Sequence, residues 1–183
     1  MENNSTQLYT IGHSNLSITR FVELLGFYKI DTIVDVRSSP YSQYNPQFDR
    51  ETLQSSLRLA GIRYRYAGDY LGGRPRDPAC YKNGRLAEGK ADYLHLVDYP
   101  QVMTKDFFLK GINYLIKLAE ENRVAIMCSE EDPSICHRHH LIGKYLTSQG
   151  ITVWHIRNDG NLVRDQALPN LTSLPPVEQP SLF

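Results

Sequence analysis

Short apolar runs alternate along this chain with longer stretches in which apolar residues recur every three or four positions. Leu8 to Ile11 reads as a strand ending in the turn-like Gly12-His13-Ser14. Ser17 is placed to cap a helix carrying Ile18, Phe21, Leu24, Leu25 and Tyr28 on one face. Thr32 to Val36 is a compact apolar run of the kind a strand shows when both its faces are buried in a parallel sheet. Pro40 and Pro46 hold the next segment out of regular structure. Asp49 is placed to cap a second helix, with Leu53, Leu57 and Ala60 inward and Gly61 closing it. Ile62 to Tyr66 reads as a third strand.

Residues 67 to 103 break the pattern, with Gly72-Gly73, Pro75, Pro78 and several tyrosines. Thr104 is placed to cap an amphipathic helix through Phe107, Phe108, Ile112, Leu115, Ile116 and Ala119. Val124 to Met127 is a fourth strand, His137 to Ser148 a helix stopped by Gly150, and Ile151 to Ile156 a fifth strand. Beyond Asp159-Gly160 the periodicity fades into a tail rich in Pro and Leu. Alternation of strands and helices predicts a three-layer α/β sandwich, with a mainly parallel five-stranded sheet and helices on both faces. Residues 1–165 form one domain in this reading, and 166–183 a flexible C-terminal tail. In such sheets ligands bind beyond the carboxyl ends of the strands.

Composition narrows the function classes. The 183 residues suffice for one domain with a substantial core, and 41% hydrophobic with 22% charged residues is an ordinary globular balance. The formal net charge is zero, so nucleic-acid binding has no support from bulk charge and would depend on a local patch. No apolar run approaches the roughly 18–20 residues that span a bilayer, and MENNSTQLYT lacks the features of a secretory signal. Cys80, Cys128 and Cys136 are too few for a disulfide scaffold. A cytoplasmic protein with no membrane partner is expected.

The positions after the strands carry the chemistry. They are His13 and Ser14, then Asp35 and Arg37, then Gly72, Gly73 and Arg74, then Cys128 and Glu130, and finally His155 and Asp159. Loops hold functional residues disproportionately. The densest stretch runs from Cys128 through Glu130 and Pro133 to Cys136-His137-Arg138, entering a helix whose N-terminus would attract anions and lower a thiol pKa. Cys136 is then a nucleophile with His137 as partner, or Arg138 clamps a phosphate or carboxylate. A zinc site drawn from Cys128, Cys136, His137, His139 and His140 lacks any paired C-x-x-C spacing, and a Cys128–Cys136 redox pair lacks the C-x-x-C of oxidoreductases. No metal is expected, and the spacing names no cofactor. Between Arg58 and Lys90, eight basic residues face three acids, with Tyr64, Tyr66, Tyr70 and Tyr81 interleaved. Cationic grooves with aromatic platforms hold single-stranded nucleic acids.

Tyr9 to Ser14, Val34-Asp-Val-Arg37 with Pro40, Leu71-Gly-Gly73, Cys128-Ser-Glu130, Pro133 and Cys136-His-Arg138 together resemble the prokaryotic family called domain of unknown function 488, over roughly residues 8 to 160. The resemblance implies a fold and an active site, and no settled reaction. The layout is more loosely similar to rhodanese domains, with Asp35, Arg37 and Cys128 in matching places. A rhodanese loop is short and rich in Gly and Arg, whereas this one is acidic and carries a second cysteine. The C-x5-R spacing of cysteine phosphatases is absent from both Cys128 and Cys136. After Pro175-Pro176, residues Gln179, Ser181, Leu182 and Phe183 resemble the peptide by which bacterial replication and repair proteins dock on the DNA sliding clamp.

These features together predict an enzyme of DNA or nucleotide metabolism. Cys128 or Cys136 is its nucleophile or thiol ligand, and Glu130 and His137 are its acid–base groups. Arg37, Arg74 and Arg138 hold anions beside Gly72 and Gly73, while His13, Ser14 and Asp35 orient them. The alternative is a non-catalytic DNA-binding accessory protein recruited to the clamp through Gln179, Leu182 and Phe183.

Overall fold

In the computed structural model, which describes residues 6–89 and 91–171, the apolar runs become strands and the periodic stretches become helices. In chain order these are β1 (Gln7–Gly12), α1 (Ile18–Phe27), β2 (Thr32–Asp35), α2 (Arg50–Leu59), β3 (Arg63–Tyr66), α3 (Gly68–Leu71), α4 (Tyr93–Leu96), α5 (Tyr99–Val102), α6 (Asp106–Glu121), β4 (Val124–Cys128), α7 (Lys144–Ser148), β5 (Thr152–Ile156) and β6 (Leu162–Arg164). The six strands form one sheet in the order β3-β2-β4-β1-β5-β6. The first five in that order are parallel, and β6 returns antiparallel to β5 with Leu162 opposite Ile156.

Period-two alternation splits the sheet's side chains between two cores. Leu8, Val34, Val124, Ile126 and Val153 face the layer of α6 and α7, whereas Tyr9, Ile11, Ile33, Ala125 and Met127 face α1 and α2. Phe108, Ile112 and Leu115 of α6 are fully buried in the first core, each worth roughly 1.5–3 kcal/mol. Ser17 caps α1 by accepting from Arg20 N at 3.1 Å. Asp49 stands at the start of α2, but its carboxylate accepts from Ser42 N at 2.7 Å instead of capping.

Several expectations are corrected. The sheet has six strands, not five; β6 is only three residues long, with Leu162 and Val163 half-buried and Arg164 exposed, too short to show alternation. Thr104 does not cap α6: Lys105 takes that position, and the Thr104 hydroxyl donates to Gln101 O at 2.8 Å. The helix expected from His137 begins as a π-helical stretch, Arg138–Gly143, before tightening into α7. The segment 67–103 folds into short helical turns tied by a Tyr81–Val97 bridge and by Asp98 N donating to Cys80 O at 2.8 Å. Residues 166–171, assigned to the tail, lie on the body, where Pro169 O accepts from His139 Nε2 at 3.2 Å and Leu171 packs on the core. Gln179, Leu182 and Phe183 lie outside the described residues. Among the described residues no helix is long and apolar enough to cross a membrane.

Candidate active site

The strand order fixes where a cleft opens. The chain leaving β2 goes through α2 to the outer strand β3, while the chain leaving β4 goes through α7 to β5 on the other side. Connections that part in opposite directions leave a crevice at the carboxyl ends of neighbouring β2 and β4. A cleft of about 470 Å³ lies there, lined by Arg37, Ser38 and Ser39 after β2 and by Cys128, Ser129 and Glu130 after β4. Gly73, Arg74, Tyr93, Tyr99, Cys136 and His137 complete much of its wall.

Two sulfurs, an imidazole and a carboxyl meet on the cleft floor. Glu130 Oε2 lies 3.1 Å from Cys128 Sγ and 3.2 Å from Cys136 Sγ, and His137 Nδ1 lies 3.7 and 3.9 Å from the same two atoms. His137 Nε2 is 3.2 Å from Val36 O. A carbonyl only accepts, so Nε2 carries a proton there and Nδ1 faces the sulfurs. The contact between the thiols favours one shared negative charge. The hydrogen bond from Cys136, and then His137 beside it, hold the Cys128 thiol well below its usual range despite burial. Burial and the charge of Cys128 push Cys136 well above it. Burial works against a charged His137, yet the neighbouring Cys128 outweighs it and the His137 pKa rises. Glu130 is open to the cleft at its edge, but the packed floor and the Cys128 charge raise its carboxyl pKa. The two thiols therefore act as one pair that holds a single negative charge beside His137.

A rigid wall stands behind this floor. Asp35 accepts from Arg37 Nε at 2.9 Å, Arg37 Nη2 at 2.6 Å and the Tyr64 hydroxyl at 2.8 Å, all buried. Arg37 Nη2 also donates to Phe48 O at 2.8 Å, and Nη1 lies 3.3 Å from His13 Nε2. His13 Nδ1 lies 2.9 Å from Ser14 O and must donate to it, so Nε2 is the acceptor facing Arg37. Burial lowers the His13 pKa to about 4, and the ring stacks on Phe48 with centroids 4.3 Å apart. Two glycines permit the close approaches. A Cβ on Gly12 would sit 1.7 Å from Glu130 O, and one on Gly73 would sit 2.7 Å from the His137 ring.

Of the residues singled out in the sequence, the cleft gathers Arg37, Gly73, Arg74, Cys128, Glu130, Cys136 and His137. Asp35 and His13 stand behind Arg37 as described. Ser14, in a left-handed turn with φ 44°, donates its N–H to Ser129 O at 2.8 Å, and Gly72 N closes α3 on Gly68 O. Arg138 does not line the cleft and is fully buried. Its Nη2 donates to Glu131 O at 2.5 Å and braces the loop after β4, while Nε and Nη1 are buried with no partner among the described residues. The basic segment also divides: Arg63, at the start of β3, pairs with Asp31, whereas Arg74 lies over the Tyr93 ring at the cleft. Sequence reading missed the cleft residues Ser38, Ser39, Tyr41, Tyr93 and Tyr99, although the run of polar residues between Arg37 and Pro40 was a signal for the first two. It also missed Asp165, whose Oδ1 lies 2.7 Å from His139 Nδ1 and 3.0 Å from His155 Nε2.

No curated protein and no solved structure is significantly similar to the chain. The family described as Domain of unknown function DUF488 matches residues 17–145, which hold Asp35, Arg37, Tyr64 and the whole thiol cluster, and the chain belongs to that family.

Proposed function

We propose that the protein is an enzyme of nucleotide or nucleic-acid metabolism whose reaction centre is the cluster of Cys128, Glu130, Cys136 and His137. One observation carries this reading: both sulfurs, the carboxyl and the imidazole meet on the floor of a cleft whose rim bears aromatic rings and a cation with no acidic partner among the described residues. Buried polar groups that converge in a cavity are costly to assemble unless they serve a ligand. Arg74 is exposed and stacked over Tyr93 at 4.3 Å, which suits a phosphate beside a base. Exposed Tyr41 offers a second ring. Arg37 shapes the wall but has its donors engaged by Asp35 and Phe48, which leaves Arg74 as the anion anchor. Glu130, within reach of both sulfurs and of the cleft, moves the proton in hydrolysis or group transfer. A cytoplasmic setting accompanies this reading, since all three cysteines are free.

The test is a screen of nucleotides and short oligonucleotides for binding and turnover. Glu130→Gln should keep binding and lose turnover, whereas Arg74→Ala should weaken binding. Saturable binding without turnover would identify an accessory module, and absence of both would remove the reading. The clamp-docking peptide at Gln179, Leu182 and Phe183 belongs to the same proposal. A chain lacking residues 178–183 should fail to pull down the sliding clamp and retain its thermal stability.

A further inference from the structure

Clusters of potential ligands occur twice among the described residues. In the first, His139, His155 and Asp165 satisfy one another. His139 uses Nδ1 toward Asp165 and Nε2 toward Pro169 O; His155 uses Nδ1 toward Thr10 and Nε2 toward Asp165. No ring nitrogen is left over, and the network explains itself as packing. The second cluster differs. Cys128, Cys136 and His137 direct Sγ, Sγ and Nδ1 at one another within 4.8 Å, and no backbone group binds Nδ1.

We infer that Cys128, Cys136 and His137 form a three-ligand site for a zinc ion on the cleft floor. Zinc takes thiolate sulfur at about 2.3 Å and imidazole nitrogen at about 2.0–2.1 Å, so a tetrahedral ion sets sulfur and nitrogen roughly 3.6 Å apart. The observed separations are 3.7 and 3.9 Å. The outer partners fit as well. A histidine that ligates metal donates its other N–H to a carbonyl or carboxylate, and His137 Nε2 faces Val36 O at 3.2 Å. Arg138 N lies 3.5 Å from Cys136 Sγ, a backbone donor on a ligand sulfur. The missing Cβ of Gly73 leaves room for the His137 ring, which a Cβ there would meet at 2.7 Å. A disulfide is the competing use of the two sulfurs, but it gives the Nδ1 of His137 no role.

All three ligand residues line the cleft, as does Glu130, so the fourth position of the ion opens beside a carboxyl. Three protein ligands with one open position is the layout of a catalytic zinc, whereas structural sites are closed by a fourth. Wide spacing along the chain argues against a zinc-finger pattern, not against a site assembled by the fold. Both sulfurs would coordinate as thiolates, so binding releases thiol protons. The site takes its functional meaning from the cleft's role as the reaction centre proposed above.

Intact protein loaded with zinc and dialysed into metal-free buffer should retain close to one equivalent. Cobalt(II) in its place should give a sulfur-to-metal charge-transfer band and the intense visible bands of a four-coordinate ion. Zinc should slow alkylation of Cys128 and Cys136, mapped by peptide mass spectrometry, and leave Cys80 unchanged; this arm uses no variant. Cys136→Ser or His137→Gln should weaken zinc by well over 10-fold, since even outer partners of a ligand are worth about 10–100-fold. Absence of retained zinc, a cobalt spectrum without the sulfur band, or zinc that protects neither thiol would overturn the site, as would a Cys128–Cys136 disulfide in freshly isolated protein. Zinc bound without any nucleotide binding would keep the site and remove the proposed function. Turnover by fully metal-free protein would do the reverse.

Discussion

Replacing Asp35 by alanine tests whether the wall behind the cleft is held by a buried ion pair. Asp35 is fully buried and Arg37 is 3% exposed. The substitution deletes the acceptor for Arg37 N, Nε and Nη2 and for the Tyr64 hydroxyl. Arg37 keeps only Phe48 O and the His13 ring, and its charge stays out of water. Breaking a buried pair from one side costs about 3–5 kcal/mol. At about 2–4 °C per kcal/mol for a chain of this size, Tm should fall by roughly 6–20 °C. Urea unfolding followed by circular dichroism measures the loss, with the m-value checked for constancy. The double variant Asp35→Leu/Arg37→Met separates the causes. It should recover much of the stability, because apolar replacement of both partners leaves no stranded charge. A loss below about 1 kcal/mol for Asp35→Ala, or a double variant no better than the single one, would refute the reasoning.

Other outcomes follow from the same geometry. Acid should weaken the fold in two stages, read as urea midpoints between pH 3 and 8. Burial holds the His155 pKa below its usual 6.5 although Asp165 opposes this, so its contribution is complete above 6.5 and is lost as pH falls through the lower folded value. Burial would raise Asp165, but hydrogen bonds from His139 and His155 outweigh it and lower the pKa; that contribution is complete above about 3.9 and is lost below it. Asp165→Asn should abolish the second stage, and a fold that gains stability on acidification would contradict both signs. Gly12→Ala, whose Cβ would meet Glu130 O at 1.7 Å, should cost about 3 kcal/mol or more. Gly26→Ala, with nothing within 4 Å, should stabilise α1 by about 0.5–1 kcal/mol; equal effects in thermal melts would void the packing argument. Nucleic-acid binding should weaken as salt rises and lose part of its salt slope in Arg74→Ala but not in Arg63→Ala, because Arg63 is paired with Asp31.

Most of the fold was legible because burial on both faces leaves a strand no choice of residue. Ile33, Val34 and Val36 had to be apolar, and Phe108, Ile112 and Leu115 had to recur at helical spacing, for the layers to close. What escaped lacked that compulsion. The strand β6 sits at an edge with half-buried residues, so no alternation marks it. Lys105 and Thr104 are adjacent, and Lys105 takes the position before α6 without a side-chain cap while its ammonium pairs with Asp77 at 2.7 Å.

The site was legible in outline for a topological reason: once strands run parallel, every residue that follows one is delivered to the same edge of the sheet. Cys128, Glu130, Arg37 and Arg74 needed no other signal. Which of them would touch was a different matter, because contact depends on how the loop after β4 folds back. Asp132 accepts from Ser134 N at 2.8 Å and starts a tight turn at Pro133, and that turn returns Cys136 to Cys128 from eight positions away. Helical position alone does not say what the two residues at its end touch. Cys136 shares one buried thiol pair with Cys128, and Arg138 lies buried beside the loop and outside the cleft lining. The missing information lay in residues defined by what they lack. Gly12 clears the path of Glu130 across β1, and Gly73 clears the space that His137 fills. Each glycine marks a close approach in the sequence without naming its partner, and only the folded chain supplies the other half.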